Sequence, residues 1–242
     1  MAGGRTLRSA GRLSAVLTLT DQRLHAFVQP LLAVTASRIY PAADLQTLTE
    51  RLWDTPSDLL LIEAAGGADV RALCDQLRRF FQLPILIVED GASEAERIAW
   101  LDGGADDVLT LRHALAELPA RCAALARRVA RQRRRDPDSF YLHALSMRLD
   151  VLGRRLFLPD GRLLDLNASQ TRFLAALFAY EDTAVSRELM GQHMFGRLTP
   201  DMHRRLAHII RHLKQRLETL PAPAPRIIYR RGVGYSLTVG SR

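Results

Sequence analysis

Five short apolar runs, each followed by a longer stretch with helical spacing, constrain the fold of this chain more than any other feature of its sequence. They are AVLTLT at 15–20, SRIY at 37–40, DLLLIE at 58–63, PILIV at 84–88 and DVLT at 107–110. Between and after them lie DQRLHAFVQPLLAV, AADLQTLTERLW, DVRALCDQLRRFF, SEAERIAWLDGG and RHALAELPARCAALARRVARQ. Strands that alternate with helices pair in parallel, because each crossover helix returns the chain to the same end of the sheet. Residues 1–130 are therefore expected to form a doubly wound (βα)5 α/β domain. The functional crevice of such a sheet lies at the carboxyl ends of its strands, which directs attention to positions at and just after 20, 63, 89 and 110.

The remainder reads differently. The run RRVARQRRRDPDSF (127–140) closes the last helical pattern in arginines and breaks at Asp136-Pro137, because proline disfavours a helical residue before it. Residues 131–140 are expected to be a linker. In YLHALSMRLDVLGRRLFLPDGRLLDL (141–166) apolar residues alternate around a Pro-Asp-Gly turn, the pattern of a small antiparallel sheet. Three helices are expected next: one over about 168–181, with Asn167 and Gln170 spaced as a capping box, one after Ser186, and one over about 200–218. A final strand pair, RIIYRRGVGYSLTV (226–239), turns at Gly232–Gly234. A small sheet, three helices and a C-terminal hairpin make an α+β winged helix-turn-helix domain over 141–242.

Charge divides along the same line. Residues 1–130 hold 14 Arg/Lys and 16 Asp/Glu, whereas residues 131–242 hold 20 and 10. So large a positive excess points to a polyanionic partner. A membrane is disfavoured because no apolar run approaches the ~18 to 20 residues needed to span one, and the start of the chain is too polar for a signal peptide. A cytoplasmic protein is expected, with no membrane partner. Cys74 and Cys122 have no CxxC companion and read as small packing residues. The arginine run has two readings, a solvated helix end favoured by the helix dipole or an auxiliary contact to DNA.

Within the third helix of the second half, Leu206, Ile209, Ile210, Leu213 and Leu217 recur at three- to four-residue spacing and predict one buried stripe. The other faces carry Arg204, Arg205, His208, Arg211, His212 and Lys214, with no acid between Arg204 and Arg216. Such a helix suits the major groove of DNA. His208 and His212 stand four apart, a metal-compatible spacing, but no third ligand is evident nearby, so no metal or other cofactor is expected.

These motifs carry a family resemblance. RIIYRRGVGYSL (226–237) resembles the C-terminal hairpin of OmpR/PhoB-family response regulators, LAHIIRHLKQRL (206–217) their recognition helix, AVSRELM (184–190) the helix before it, and LNASQTRFL (166–174) the first of the three. The resemblance implies that Arg205, Ala207, His208 and His212 face bases, Arg204, Arg211 and Lys214 face the backbone, and Arg231 enters the minor groove. It also implies that the loop 191–202 touches RNA polymerase. Ile209 stands where the family usually has histidine and Ala207 where it often has aspartate, so a target sequence cannot be borrowed.

The first domain resembles a receiver, most clearly in GGADDVLT (103–110) and SDLLLIEA (57–64). Receivers take a phosphoryl group on an aspartate after the third strand, assisted by Mg²⁺ on two acids, a hydroxyl residue and a lysine. The matching positions here are Glu63 for the phosphoacceptor, Thr20 and Asp21 for the acid pair, Glu89 for the hydroxyl and Leu111 for the lysine, with Val108 at the switch aromatic. Phosphoryl transfer needs cations around the transferring oxygens. Three carboxylates without a lysine predict a degenerate site that repels phosphate. Glu63 invites comparison with a phospho-aspartate, but Leu111 replaces the lysine that would pair with it. Carboxylates this close could also raise one another's pKa or share a cation, which would make a pH or metal sensor.

In the family, dimers form through the fourth and fifth helices and the fifth strand. Arg97, Asp107, Glu117 and Arg121 carry the signs such an interface needs. The expectation is thus a DNA-binding transcription regulator, a homodimer independent of phosphorylation. The alternative keeps the first domain as a docking or effector-sensing module for a partner protein, small molecule or cation. An enzyme is not expected, since no nucleophile with an adjacent base and no P-loop is evident.

Overall fold

The computed structural model describes Leu13 and residues 16–19, 22–55, 57–64, 69–181, 183–195, 200–222 and 224–240. The chain divides into two units between Asp138 and Ser139.

In the first unit β1 (Val16–Leu19), β2 (Ile39–Ala42), β3 (Leu59–Glu63), β4 (Ile85–Glu89) and β5 (Asp107–Thr110) pair in parallel in the order β2-β1-β3-β4-β5. This is a doubly wound sheet. Residues 59–62 and 85–89 are buried throughout, as central strands covered on both faces must be. Its helices are α1 (Gln22–Ala33), α2 (Leu45–Asp54), α3 (Val70–Arg78), α4 (Glu94–Asp102) and α5 (Leu118–Arg135), with a helical turn at Leu111–Ala114. Asp44 and Asp69 cap α2 and α3, and Ser93 with Glu96 forms a capping box on α4. On one face of the sheet Leu59, Leu61, Leu86, Val88 and Leu109 pack against Val28 and Leu32 of α1 and Leu118, Cys122 and Leu125 of α5.

Arg78 ties this unit together. Its guanidinium donates to the carbonyls of Gly104 (2.8 Å) and Leu83 and to Asp106, whose carboxylate also accepts from the N–H of Ile85 (2.9 Å). One side chain thus fixes the GGADD turn to the start of β4. Cys74 and Cys122 are buried, and burial pushes their thiols up to about 11 and about 12, as expected of packing residues.

The second unit opens with a four-stranded antiparallel sheet, β6 (Leu142–Ala144), β7 (Met147–Asp150), β8 (Arg155–Phe157) and β9 (Leu163–Asp165). Three helices follow, α6 (Ala168–Ala179), α7 (Arg187–Phe195) and α8 (Met202–Glu218), then the hairpin of β10 (Ala224–Arg230) and β11 (Gly234–Gly240). The capping box expected at Asn167 and Gln170 is present. The unit is a winged helix-turn-helix.

Two expectations need correction. The segment 191–202 is not a loop throughout: residues 191–195 belong to α7, because Gly191 and Met194 face inward, and a Cβ on Gly191 would meet the Sδ of Met202 on α8. Residues 196–199 lie outside the described part. Likewise α5 continues through Arg135, and the 3-10 turn Pro137–Phe140 follows at once, so the first half of the segment 131–140 is helix. With the division at Asp138, the first unit holds 18 basic and 18 acidic residues and the second 16 and 8. The whole net charge of +8 therefore resides in the second unit.

Candidate nucleic-acid interface and phosphoacceptor-type pocket

Helix α8 buries Met202, Leu206, Ile210, Leu213 and Leu217, which fixes the direction of every other side chain on it. Ile209 is only half-buried, and Met202, absent from the expected stripe, takes the place at its start. Arg204, Arg205, Ala207, His208, Arg211 and His212 are all exposed, and Lys214 is half-buried along a groove shared with Glu218 and β10. The rings of His208 and His212 meet edge to face with centroids 4.4 Å apart, and Arg211 approaches His208 Nδ1 at 3.4 Å. No cluster of three or more metal-ligating side chains exists among the described residues. Arg205 lies over the ring of Phe195 at 4.0 Å, so one of the base-facing candidates is held against the end of α7.

Arg216 is excluded from this face, because it donates to Gln170 Oε1 (2.8 Å) and to the carbonyl of Asp165 and ties α8 to α6 and β9. Arg231 is exposed at the tip of the wing, between the ends of β10 and β11. The wing is anchored by a bridge in which the backbones of Val185 and Tyr235 exchange both hydrogen bonds at 2.8 Å. Behind α7, burial lowers the His193 imidazole to about 4, and its Nε2–H donates to the carbonyl of Arg172 (2.9 Å). His193 is therefore a neutral packing residue rather than part of the cationic face.

At the carboxyl ends of the first unit's strands, Thr20 and Asp21 lie outside the described residues. Glu63 ends β3 and is half-buried, while Glu89 ends β4 and is 1% exposed. Glu89 does not stand as an open carboxylate. Its oxygens accept from the Thr110 hydroxyl and from the N–H of Ala92 (2.8 Å), and Arg97 of α4 lies 3.7 Å away. Glu89 and Thr110 are cross-strand partners, which explains how a residue at the end of β5 reaches it. Burial pushes the Glu89 carboxyl up, but the bonds from Thr110, Ala92 and Gly91 and the charge of Arg97 outweigh it and hold the group below the usual carboxylate range. At Glu89 the shift therefore runs opposite to the rise that crowded carboxylates would impose. Two arginines stand by the acids at this end of the sheet: Arg97 serves Glu89, and Arg112 pairs with Asp90 at 2.5 Å. Leu111 packs against the core.

No protein-family model matches the chain. It is 31% identical over 182 residues to the transcriptional regulatory protein BaeR of Escherichia coli O6:H1, covering 75% of this chain and 74% of that one. The chain belongs to the OmpR/PhoB family of response regulators. The response regulator MprA of a Mycobacterium species (strain KMS) is 35% identical over 184 residues, covering 75% and 78%. The transcriptional regulatory protein GltR of Pseudomonas aeruginosa is 26% identical over 239 residues, covering 97% and 98%.

In this OmpR/PhoB-type regulator the end of β4 carries a paired, internal carboxylate, Glu89. Arg97, Asp107, Glu117 and Arg121 are all engaged within the chain. Arg121 pairs with Asp107 (2.8 Å) and Glu117 (2.8 Å), and Arg97 also donates to the carbonyl of Ala92 (2.7 Å). Thr110 lies at one of the strand ends marked from the sequence, but its role as the partner of Glu89 is set by the register of β4 on β5; Phe195 is signalled only by the length of α7.

Proposed function

We propose that this regulator binds duplex DNA sequence-specifically through α8 and its wing, and that it does so without phosphorylation. The observation that carries the reading is the outward face of α8, where exposed arginines and imidazoles stand with no acid among them. Arg204, Arg211 and Lys214 would meet phosphates and set register, while Arg205, Ala207, His208 and His212 would meet base edges and set sequence, with Arg231 in the minor groove. Contact of residues 191–202 with RNA polymerase belongs to the same reading and rests on the family resemblance.

Phosphorylation independence is supported by Glu89. A phosphoryl group on Glu63 would need cations, yet Arg97 is already engaged by Glu89 and Leu111 offers none. Acetyl phosphate with Mg²⁺ is expected to leave both the mass of the protein and its DNA affinity unchanged. Stoichiometric gain of a phosphoryl group would overturn this.

A homodimer through α4, β5 and α5 is supported by two exposed apolar residues on α4: Leu101, 45% exposed, stands four residues from Arg97 on the same helix side, and Ile98, 51% exposed, stands three residues from Leu101. In an isologous interface each patch meets its own copy, and Asp107, Glu117 and Arg121 can exchange their intrachain partners for those of the second chain. Arg121→Glu is expected to yield a monomer with weaker operator binding, read by sedimentation and by titration of DNA. A variant that remains dimeric would remove this face from consideration.

The second reading, a docking module for a partner, is favoured by Phe27 and Val34 at 66% and 73% exposure on and just after α1. Full affinity of the purified protein for a selected duplex, with nothing added, would count against it.

A further inference from the structure

Past Leu125 no described side chain of α5 is buried, yet the helix continues for ten residues to Arg135. Arg127, Arg128, Arg131, Arg134 and Arg135 are exposed along it, and no acid occurs between Arg127 and Arg135. The helix dipole accounts for cations in the last turn only, which leaves Arg127 and Arg131 unexplained. Like charges four apart, as in Arg127–Arg131 and Arg131–Arg135, destabilise an isolated helix. Arg128 has an acidic neighbour, Asp106 at 3.6 Å. The row Arg127, Arg131 and Arg135 rises about 6 Å per step and, with Arg128 and Gln132, lines a groove of about 420 Å³.

We propose that this row grips the phosphate backbone of duplex DNA flanking the site read by α8. The proposal rests on the DNA-binding reading above. Guanidinium groups suit phosphate because their planar donors match its oxygens in pairs. Duplex DNA is favoured over other polyanions by the covalent chain: the second unit starts at Ser139, four residues after Arg135, so a duplex held by the second unit is presented to this row at high effective concentration. Cations that are costly to the free helix become favourable once counterions are released from the duplex.

The test compares the full chain with its Arg127→Gln, Arg131→Gln, Arg135→Gln variant, which keeps helix propensity. The duplex is a site selected by the wild type from a random pool, carried either with flanks of more than one helical turn or trimmed to the site. On the flanked duplex the slope of log affinity against log salt is expected to fall by about 2 to 3, since each lost phosphate contact removes about 0.9. The trimmed duplex should show no difference. Equal slopes on the flanked duplex would overturn this inference while leaving the DNA-binding reading intact. A wild type that selects no duplex would overturn both. Binding of the wild type to vesicles of anionic lipid, lost in the variant while the DNA slopes stay equal, would assign the row to a membrane and also overturn it.

Discussion

Gly234→Ala is expected to destabilise the second unit by about 3–5 kcal/mol, because a Cβ there would meet main chain rather than a movable side chain. Gly234 has φ +136, and its added Cβ would lie 2.1 Å from the carbonyl oxygen of Val185. That carbonyl is held in place by the two 2.8 Å hydrogen bonds between Val185 and Tyr235, so relief would require unpairing the wing. Gly232 supplies the control: its φ is +76, but nothing lies within 4 Å of its added Cβ, so Gly232→Ala should cost about 1 kcal/mol through backbone strain alone. For a unit of this size the Gly234 change should lower the melting temperature by roughly 10–25 °C. The two units report separately. Both tryptophans, Trp53 and Trp100, lie in the first, so tryptophan fluorescence should melt as in the wild type while far-UV dichroism shows an early loss. Specific DNA binding should disappear over the same temperature range. A Gly234→Ala protein that melts like Gly232→Ala would show that the close approach to Val185 is relieved cheaply.

The Gly-x-Gly of the hairpin was readable as a turn, but the reason for its second glycine was not, since Val185 lies far away in sequence. The same limit recurs elsewhere. Periodicity located the five strands, the buried stripe of α8 and the cap at Asn167 because these depend on neighbours within four residues. It failed at Leu145 and Ser146, a two-residue turn with φ of 51° and 60° at residues that rarely adopt them. There the N–H of Leu145 is held by Glu181 at 2.6 Å, a contact across 36 residues. The basic face of α8 was legible as composition, whereas the removal of Arg216 from it depends on Gln170 and Asp165. In the pocket, the identities at Glu63, Glu89 and Leu111 could be read directly from the sequence. What they could not give was the pairing of Glu89 with Thr110 and Arg97, which is set by the register of β4 on β5 and by the helical position of Arg97.

Glu89→Ala is expected to destabilise the first unit by about 2–4 kcal/mol, because it leaves the Thr110 hydroxyl, the Ala92 N–H and the Arg97 guanidinium without their shared acceptor. The conservative Glu89→Gln keeps the shape and should cost about 1 kcal/mol, while separating charge from packing by its pH dependence. The folded-state pKa of Glu89 lies below its ordinary value, so its ionisation adds stability above the unfolded pKa of about 4.3. That contribution is lost as pH falls from 4.3 through the folded pKa. Tryptophan-monitored denaturation at a series of pH values should therefore show the wild type losing its advantage over Glu89→Gln on the acid side of about pH 4.3, with the two curves parallel above pH 5. Exposed carboxylates titrate in both proteins and cancel in the difference. Once Arg97 is released, α4 loses its tie to β4, and the face bearing Ile98 and Leu101 is no longer held in one arrangement. Self-association should weaken in Glu89→Ala more than in Glu89→Gln, because only the latter keeps an acceptor for Arg97. If the pH curves of wild type and Glu89→Gln run parallel down to pH 3, the charge of Glu89 is not what secures α4.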